Sequence, residues 1–213
     1  MQNIYKKIII TFFAAFFISF YSTSCFAFGP SSERIYQGID ISRWQEDIDF
    51  SLVKKSGIDI VYMKSSEGRS YIDPYFEKNY LNAKANGLKV GFYHYVTAKT
   101  IAAAKEQALF FARVIAKKSP DCMLAMDFED FGNLSILEIN NISKIFLQTL
   151  EQETGSQALI YSNAYSARNI FGAELIKYPL WVAHYNVSSP SSNGKWNSWV
   201  RMAVYKYRKR TTE

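Results

Sequence analysis

Six short apolar runs, rich in β-branched and aromatic side chains, alternate with segments of helical period from Tyr36 onward. The runs fall at 38–42, 59–64, 90–96, 123–129, 158–162 and 180–185. Helical patterns lie between them at 75–86, 102–118, 135–153 and 164–171, several stopping at Gly87, Pro120, Gly155 or Gly172. Two consecutive strands can pair in parallel only through a crossover, and a helix is the usual one. Repeated alternation therefore predicts an α/β fold with a parallel sheet covered by helices. With so many strands in 213 residues, a modified (β/α) barrel of TIM-like type, closed or nearly closed, is the leading architecture. An open doubly wound sheet is the alternative. No G-x-G-x-x-G follows the first run, where Asp40-Ile41-Ser42-Arg43-Trp44 stands instead, and this argues against a dinucleotide fold.

The formal charge is +6, which raises the question of nucleic-acid binding. The excess sits at the two ends: Lys6 and Lys7 on one side, and Arg201, Lys206, Arg208, Lys209 and Arg210 on the other. Residues 28–199 hold 18 basic and 18 acidic groups. A body without net charge offers no broad basic stripe to track phosphates, so no nucleic-acid partner is expected.

Residues 1–27 read as a secretory signal: Lys6 and Lys7, an apolar core at 8–20, and Cys25-Phe26-Ala27 ending in small residues. The core falls short of the about 20 residues of a membrane span. Export to the periplasm or the medium is expected, with no stable membrane anchor after cleavage. Residues 28–35 then form a short N-terminal extension, 36–199 a single barrel domain and 200–213 a basic tail. Cleavage after Ala27 leaves Cys122 as the one cysteine, in an apolar run where a small buried hydrophobe is expected rather than a reactive thiol. The two histidines, 90 positions apart, make no metal cluster with it, and no metal is called for.

Barrel enzymes carry their chemistry at the C-terminal ends of strands. The most informative end is Asp127-Phe128-Glu129-Asp130. Strand alternation puts Asp127 and Glu129 on one face and Phe128 on the other. Two close carboxylates raise each other's proton affinity, so that one stays protonated as a general acid while the other is ionised. The plainer alternative is a helix cap or a set of solvated ion pairs. Other ends carry Asp40 with Trp44 beyond it, Lys64 and Glu67, Tyr93 with His94 and Tyr95, Tyr161 with Asn163, and Trp181 with His184 and Tyr185. Carboxylates among aromatic rings suit a carbohydrate, whose ring faces stack on aromatics while its hydroxyls bond carboxylates. Trp44 and Trp181 read equally as core residues, and His94 and His184 as structural histidines. Lys64 either pairs with Asp127 or Glu129 or projects to solvent. No G-x-S-x-G elbow is present, which argues against a serine triad.

These blocks resemble the glycoside hydrolase family 25 lysozymes, the Chalaropsis-type muramidases. The matching stretches are Gly38-Ile39-Asp40-Ile41-Ser42 with Trp44-Gln45, and Lys64-Ser65-Ser66-Glu67-Gly68, which is like the family's K-A-T-E-G. They continue with Tyr71-Ile72-Asp73-Pro74-Tyr75-Phe76 with Asn79, Gly91-Phe92-Tyr93-His94-Tyr95, Asp127-Phe128-Glu129, Ile160-Tyr161-Ser162 and Leu180-Trp181-Val182-Ala183-His184-Tyr185. The resemblance implies a hydrolase of the β-1,4 bond between N-acetylmuramic acid and N-acetylglucosamine in peptidoglycan, and a monomer is expected. It places the acid on Glu129 and a supporting role on Asp127, with Asp40 also lining the site. Lys64, Glu67, Tyr93, Tyr161, Trp181 and Tyr185 are the expected substrate-binding residues. Protonation and charge stabilisation by carboxylates suffice for this reaction, so no cofactor is expected. After Trp199 the sequence departs from the family pattern, and no Asp follows Asp130. The closing strand and one site carboxylate are accordingly expected to be missing, as an altered reading frame or early stop near codon 200 would leave them.

Overall fold

The structure, a computed structural model, describes residues 29–30, 36–183, 196 and 198–200. Its strands are β1 (Gly29–Pro30), β2 (Gly38–Ile41), β3 (Ile60–Glu67), β4 (Tyr71–Ile72), β5 (Lys89–Tyr95), β6 (Leu124–Asp127), β7 (Ala158–Asn163), β8 (Leu180–Ala183) and β9 (Ser198–Val200). They form one sheet in the order β1-β9-β8-β7-β6-β5-β3-β2, parallel throughout, with β4 returning antiparallel on β3.

The sheet is curled. Tyr62 on β3 and Trp181 on β8 stand four strands apart in that order, which in a flat sheet is about 19 Å. Their ring centroids are 4.8 Å apart. Strand alternation then sorts the core into two layers. Val61, Met63, Val90, Phe92, Leu124, Met126, Ile160, Leu180 and Val182 face the helices, while Tyr62, Ala125, Leu159 and Trp181 close the inside of the curl. This is the modified barrel that the alternation predicts.

The helices are α1 (Phe50–Lys55), α2 (Phe76–Ala85), α3 (Ile101–Ile115), α4 (Ile136–Thr154) and α5 (Ala164–Asn169). The four expected patterns match α2 to α5; α1 lies where the sequence pattern predicts no helix. Its signal is present but short: Asp49 caps the N–H groups of Ser51 and Leu52, and Phe50 and Val53 are its buried pair. The longest helix, α4, starts at a capping box in which Ser135 and Glu138 satisfy each other's backbone N–H, and stops at Gly155 with φ 65°. Its buried stripe Ile139, Ile142, Phe146, Leu147 and Leu150 follows helical spacing against the helix side of the sheet.

One glycine sets the floor of the curl. A Cβ on Gly91 would lie 2.4 Å from Cε1 of Tyr62. Tyr62 has little room to yield, because its hydroxyl donates to the carbonyl of Met123 at 2.9 Å and its ring rests on Trp181. Gly91→Ala is therefore expected to cost about 1–3 kcal/mol, with Tm falling by a few degrees in thermal unfolding. Cys122 lies partly buried against the same inner cluster, and burial, with the neighbouring Asp121, pushes its thiol up to about 11. It is a packing residue.

The expected strand at 59–64 runs on to Glu67, since β4 folds back onto it. The run at 123–129 stops at Asp127. β9 bridges β8 and β1, so part of the expected N-terminal extension is built into the sheet edge. The expected signal segment and residues 201–213 lie outside the described residues, as do His184 and Tyr185. Among the described residues no helix is long and apolar enough to cross a membrane.

Candidate active site

At the C-terminal ends of the strands a cleft of about 410 Å³ opens above the inner cluster. Its wall is formed by Asp40 and Ser42 from β2 and the residue after it, Lys64 from β3, Tyr93 and Tyr95 from β5, Asp127 from β6, Tyr161 from β7 and Trp181 from β8. Glu129 and the turn residues Trp44 and Gln45 complete it. Register explains the convergence: Asp127 pairs with Tyr95 on one side and Tyr161 on the other, and Tyr161 pairs with Trp181. All four point the same way because paired residues of a sheet share a face.

Asp127 and Glu129 reach one cleft by a route different from simple alternation. The strand ends at Asp127, and Phe128 is buried against Phe131, with centroids 5.0 Å apart and rings near perpendicular. That anchor turns the chain so that Glu129 leaves it exposed at the cleft wall. Asp127 is the deep member of the pair, 8% exposed, and its Oδ1 has no hydrogen-bond partner among the described residues.

The electrostatics follow from these positions. Burial pushes the Asp127 carboxyl well above the usual carboxylate range; Glu129, Asp40 and Glu67 add to this, and Lys64 opposes it. Burial and then Asp40 raise the Glu129 carboxyl. Tyr93 is held well above its ordinary value by burial and by Asp127, Asp40 and Asp73, and Tyr95 is raised by burial and the surrounding carboxylates. Both phenols stay protonated at neutral pH and can donate hydrogen bonds to a ligand.

The two tryptophans part company. Trp181 is 2% exposed, tilted against Tyr62 and edge-on to Tyr161, so it floors the cleft. Trp44 is 75% exposed at the rim, with the Arg43 guanidinium 4.5 Å from its ring centroid. A second capping box holds the Trp44 turn: the Ser42 N–H donates to Oε1 of Gln45 at 2.8 Å. Lys64 lies on the wall and pairs with Glu67 at 2.6 Å, the second residue itself standing outside the lining. Neither expected pairing of Lys64, with Asp127 or with Glu129, is made among the described residues. His94 is fully buried on the helix side, between Phe111 and Phe146. Burial lowers its imidazole to about 3, which keeps it neutral and structural.

Of the expected site residues, Asp40, Lys64, Tyr93, Asp127, Glu129, Tyr161 and Trp181 are brought together, Glu67 stands behind Lys64, and Tyr185 lies outside the described residues. Ser42, Gln45 and Tyr95 join the cleft beyond that expectation. The S-x-x-Q spacing of the capping box is the sequence signal for the first two.

Fold and site together define a (β/α)-barrel protein with an acidic, aromatic-walled cleft where barrel enzymes carry their chemistry. Residues 39–211 match the model of Glycosyl hydrolases family 25, and the chain belongs to that family. It is 36% identical over 176 residues to YegX of Escherichia coli O157:H7, described as uncharacterized, covering 80% of this chain and 64% of that one. It is 35% identical over 155 residues to the autolytic lysozyme of Clostridium acetobutylicum, covering 73% of this chain and 47% of that one. Among solved structures, the bacterial lysozyme of Streptomyces coelicolor superimposes with a TM-score of 0.66 at 29% identity, covering 79% of this chain and 82% of that one. The chain thus spans less than two thirds of the length of these two curated relatives.

Proposed function

We propose that the chain is an exported muramidase that hydrolyses the β-1,4 bond between N-acetylmuramic acid and N-acetylglucosamine in peptidoglycan. The observation that carries this reading is the Asp127–Glu129 pair, two carboxyls with raised proton affinity in one open cleft walled by tyrosines and tryptophans. Glu129, the accessible member, protonates the glycosidic oxygen as its bond to the anomeric carbon breaks. Asp127 faces the positive charge that develops on the sugar and orients or stabilises the intermediate. Water then adds to the anomeric carbon and returns a proton to Glu129. Asp40 adds negative field at the same wall, the Tyr93 and Tyr95 hydroxyls bind sugar hydroxyls, and the Trp44 ring stacks on a sugar face.

A second reading is a glycan-binding protein without turnover, which uses the same aromatic-walled cleft to hold a glycan. Peptidoglycan incubated with the full chain separates the two. The muramidase releases fragments with new reducing ends at muramic acid, and equal release from chitin oligomers would point to a different glycan. Retention on peptidoglycan with no new reducing ends would overturn the enzymatic reading.

A further inference from the structure

The pairing of β3 with β5 slips by one residue beside the cleft. Lys64 lies opposite Tyr93, Ser66 opposite His94 and Glu67 opposite Tyr95, leaving Ser65 as the extra residue of a bulge, a device uncommon between parallel strands. Regular alternation would put Lys64 and Ser66 on one face and Glu67 on the other. The bulge reverses the order after Lys64. Ser66 turns to the helix side, with its Oγ 2.8 Å from Nδ1 of His94. Glu67 comes round to the cleft side and accepts from Lys64 Nζ at 2.6 Å.

The bulge is tied down by hydrogen bonds on both sides. Ser65 Oγ donates to the Tyr93 carbonyl at 3.1 Å, the Ser65 carbonyl accepts from the Asp73 N–H at 3.0 Å, and the two serine hydroxyls stand 3.0 Å apart. His94, packed between two phenylalanines, fixes the far side. Such bulges re-aim side chains next to sites.

What is re-aimed bears on charge. Among the described lining residues Lys64 is the only cation. Around it stand Asp40 from β2, Tyr71 from β4, Tyr93 and Tyr95 from β5, Asp127 and Glu129 from β6 and the turn after it, and Tyr161 from β7; Asp73 lies near Tyr93, Asp130 near Tyr95, and neutral His94 lies behind. Lys64 is near enough to oppose the rise in the Asp127 carboxyl, and an ammonium not held by Glu67 would lower it further. We propose that Glu67 is a positioning residue, turned to the cleft side by the Ser65 bulge so that it engages Lys64, holds the ammonium off Asp127 and sets the pH at which that carboxyl ionises. This rests on the reading of that pair given above.

The test is carboxyl titration by NMR on the full chain, in wild type, Glu67→Gln, Lys64→Met and the double variant. Glu67 has a side chain 38% exposed, and Gln keeps its shape, so the fold is retained. In Glu67→Gln the Asp127 titration is expected to move down by about one unit, and in Lys64→Met to move up. On the Lys64→Met background the effect of Glu67→Gln should fall to less than about half. An unmoved titration in Glu67→Gln, or the same shift with and without Lys64, overturns the proposal. In the active chain the acid limb of kcat/KM, where Asp127 must lose its proton to face the positive charge, moves with the titration, which a merely structural role would not produce. The titration is read without substrate, so its failure is distinct from a failure to release reducing ends.

Discussion

Glu129→Gln is expected to lower the release of reducing ends from peptidoglycan by about 10²–10⁴-fold, the contribution typical of a positioned general acid. The substitution removes the proton that the leaving oxygen needs and little else. Glu129 is exposed beyond the end of β6, it makes no ion pair among the described residues, and Gln matches its shape. Tm and peptidoglycan binding should stay close to wild type. Loss of activity together with loss of fold would show damage instead of chemistry, and unchanged activity would remove Glu129 from the role proposed for it. In wild type, the rate should fall as pH rises through the raised pKa of Glu129, because only the protonated carboxyl can act as acid.

Asp127→Asn is expected to have two opposed effects, inactivation and stabilisation. Activity falls because the amide cannot face positive charge as a carboxylate does. Stability follows from linkage. The folded pKa of Asp127 is raised, so its contribution is fully present below the unfolded value and is lost as pH rises through the folded one. Wild type therefore loses stability on the alkaline side, where a buried carboxylate whose Oδ1 has no hydrogen bond among the described residues must be ionised. Asn has no such requirement, and the variant should gain about 1–3 kcal/mol at pH 8 relative to its difference from wild type at pH 4. His94 acts in the opposite direction: its folded value of about 3 lies below the unfolded one, so its stability is present above the unfolded pKa and is lost as pH falls toward 3. That acid limb should be the same in both proteins. Thermal unfolding across pH 3–9 reads both limbs, and parallel curves for the two proteins would show that Asp127 is not a strained, buried acid.

The sheet and four of the helices were legible because period 2 and period 3.6 leave different marks, and Gly or Pro closed several segments. Helix α1 was not, since six residues give too few repeats of the helical period to stand out from the loop around it. The site was legible one strand end at a time. Asp40 and Asp127 sit at or next to the end of a strand, Tyr161 and Trp181 lie within theirs, and barrel geometry supplies the convergence. What the linear pattern did not contain was the bulge at Ser65. Alternation counted along β3 assigns Glu67 to the wrong face, and the register that corrects it is a property of two strands together. The deep burial of Trp181 was hidden for the same reason, as it depends on Tyr62 four strands away and on the missing Cβ of Gly91.

The seam between β1 and β9 bears on how the molecule comes together. Gly29 is paired with Ser198 and Pro30 with Trp199, contacts that span nearly the whole described chain. Every other neighbouring pair of parallel strands is joined by a much shorter connection, so the sheet can grow strand by strand as the chain is made, while β1 must wait until residues 198–200 have been synthesised. Closing so long a loop costs conformational entropy and only two residues on each side repay it. That edge should therefore form late and open first, and its amide protons should exchange ahead of those in β5 and β6.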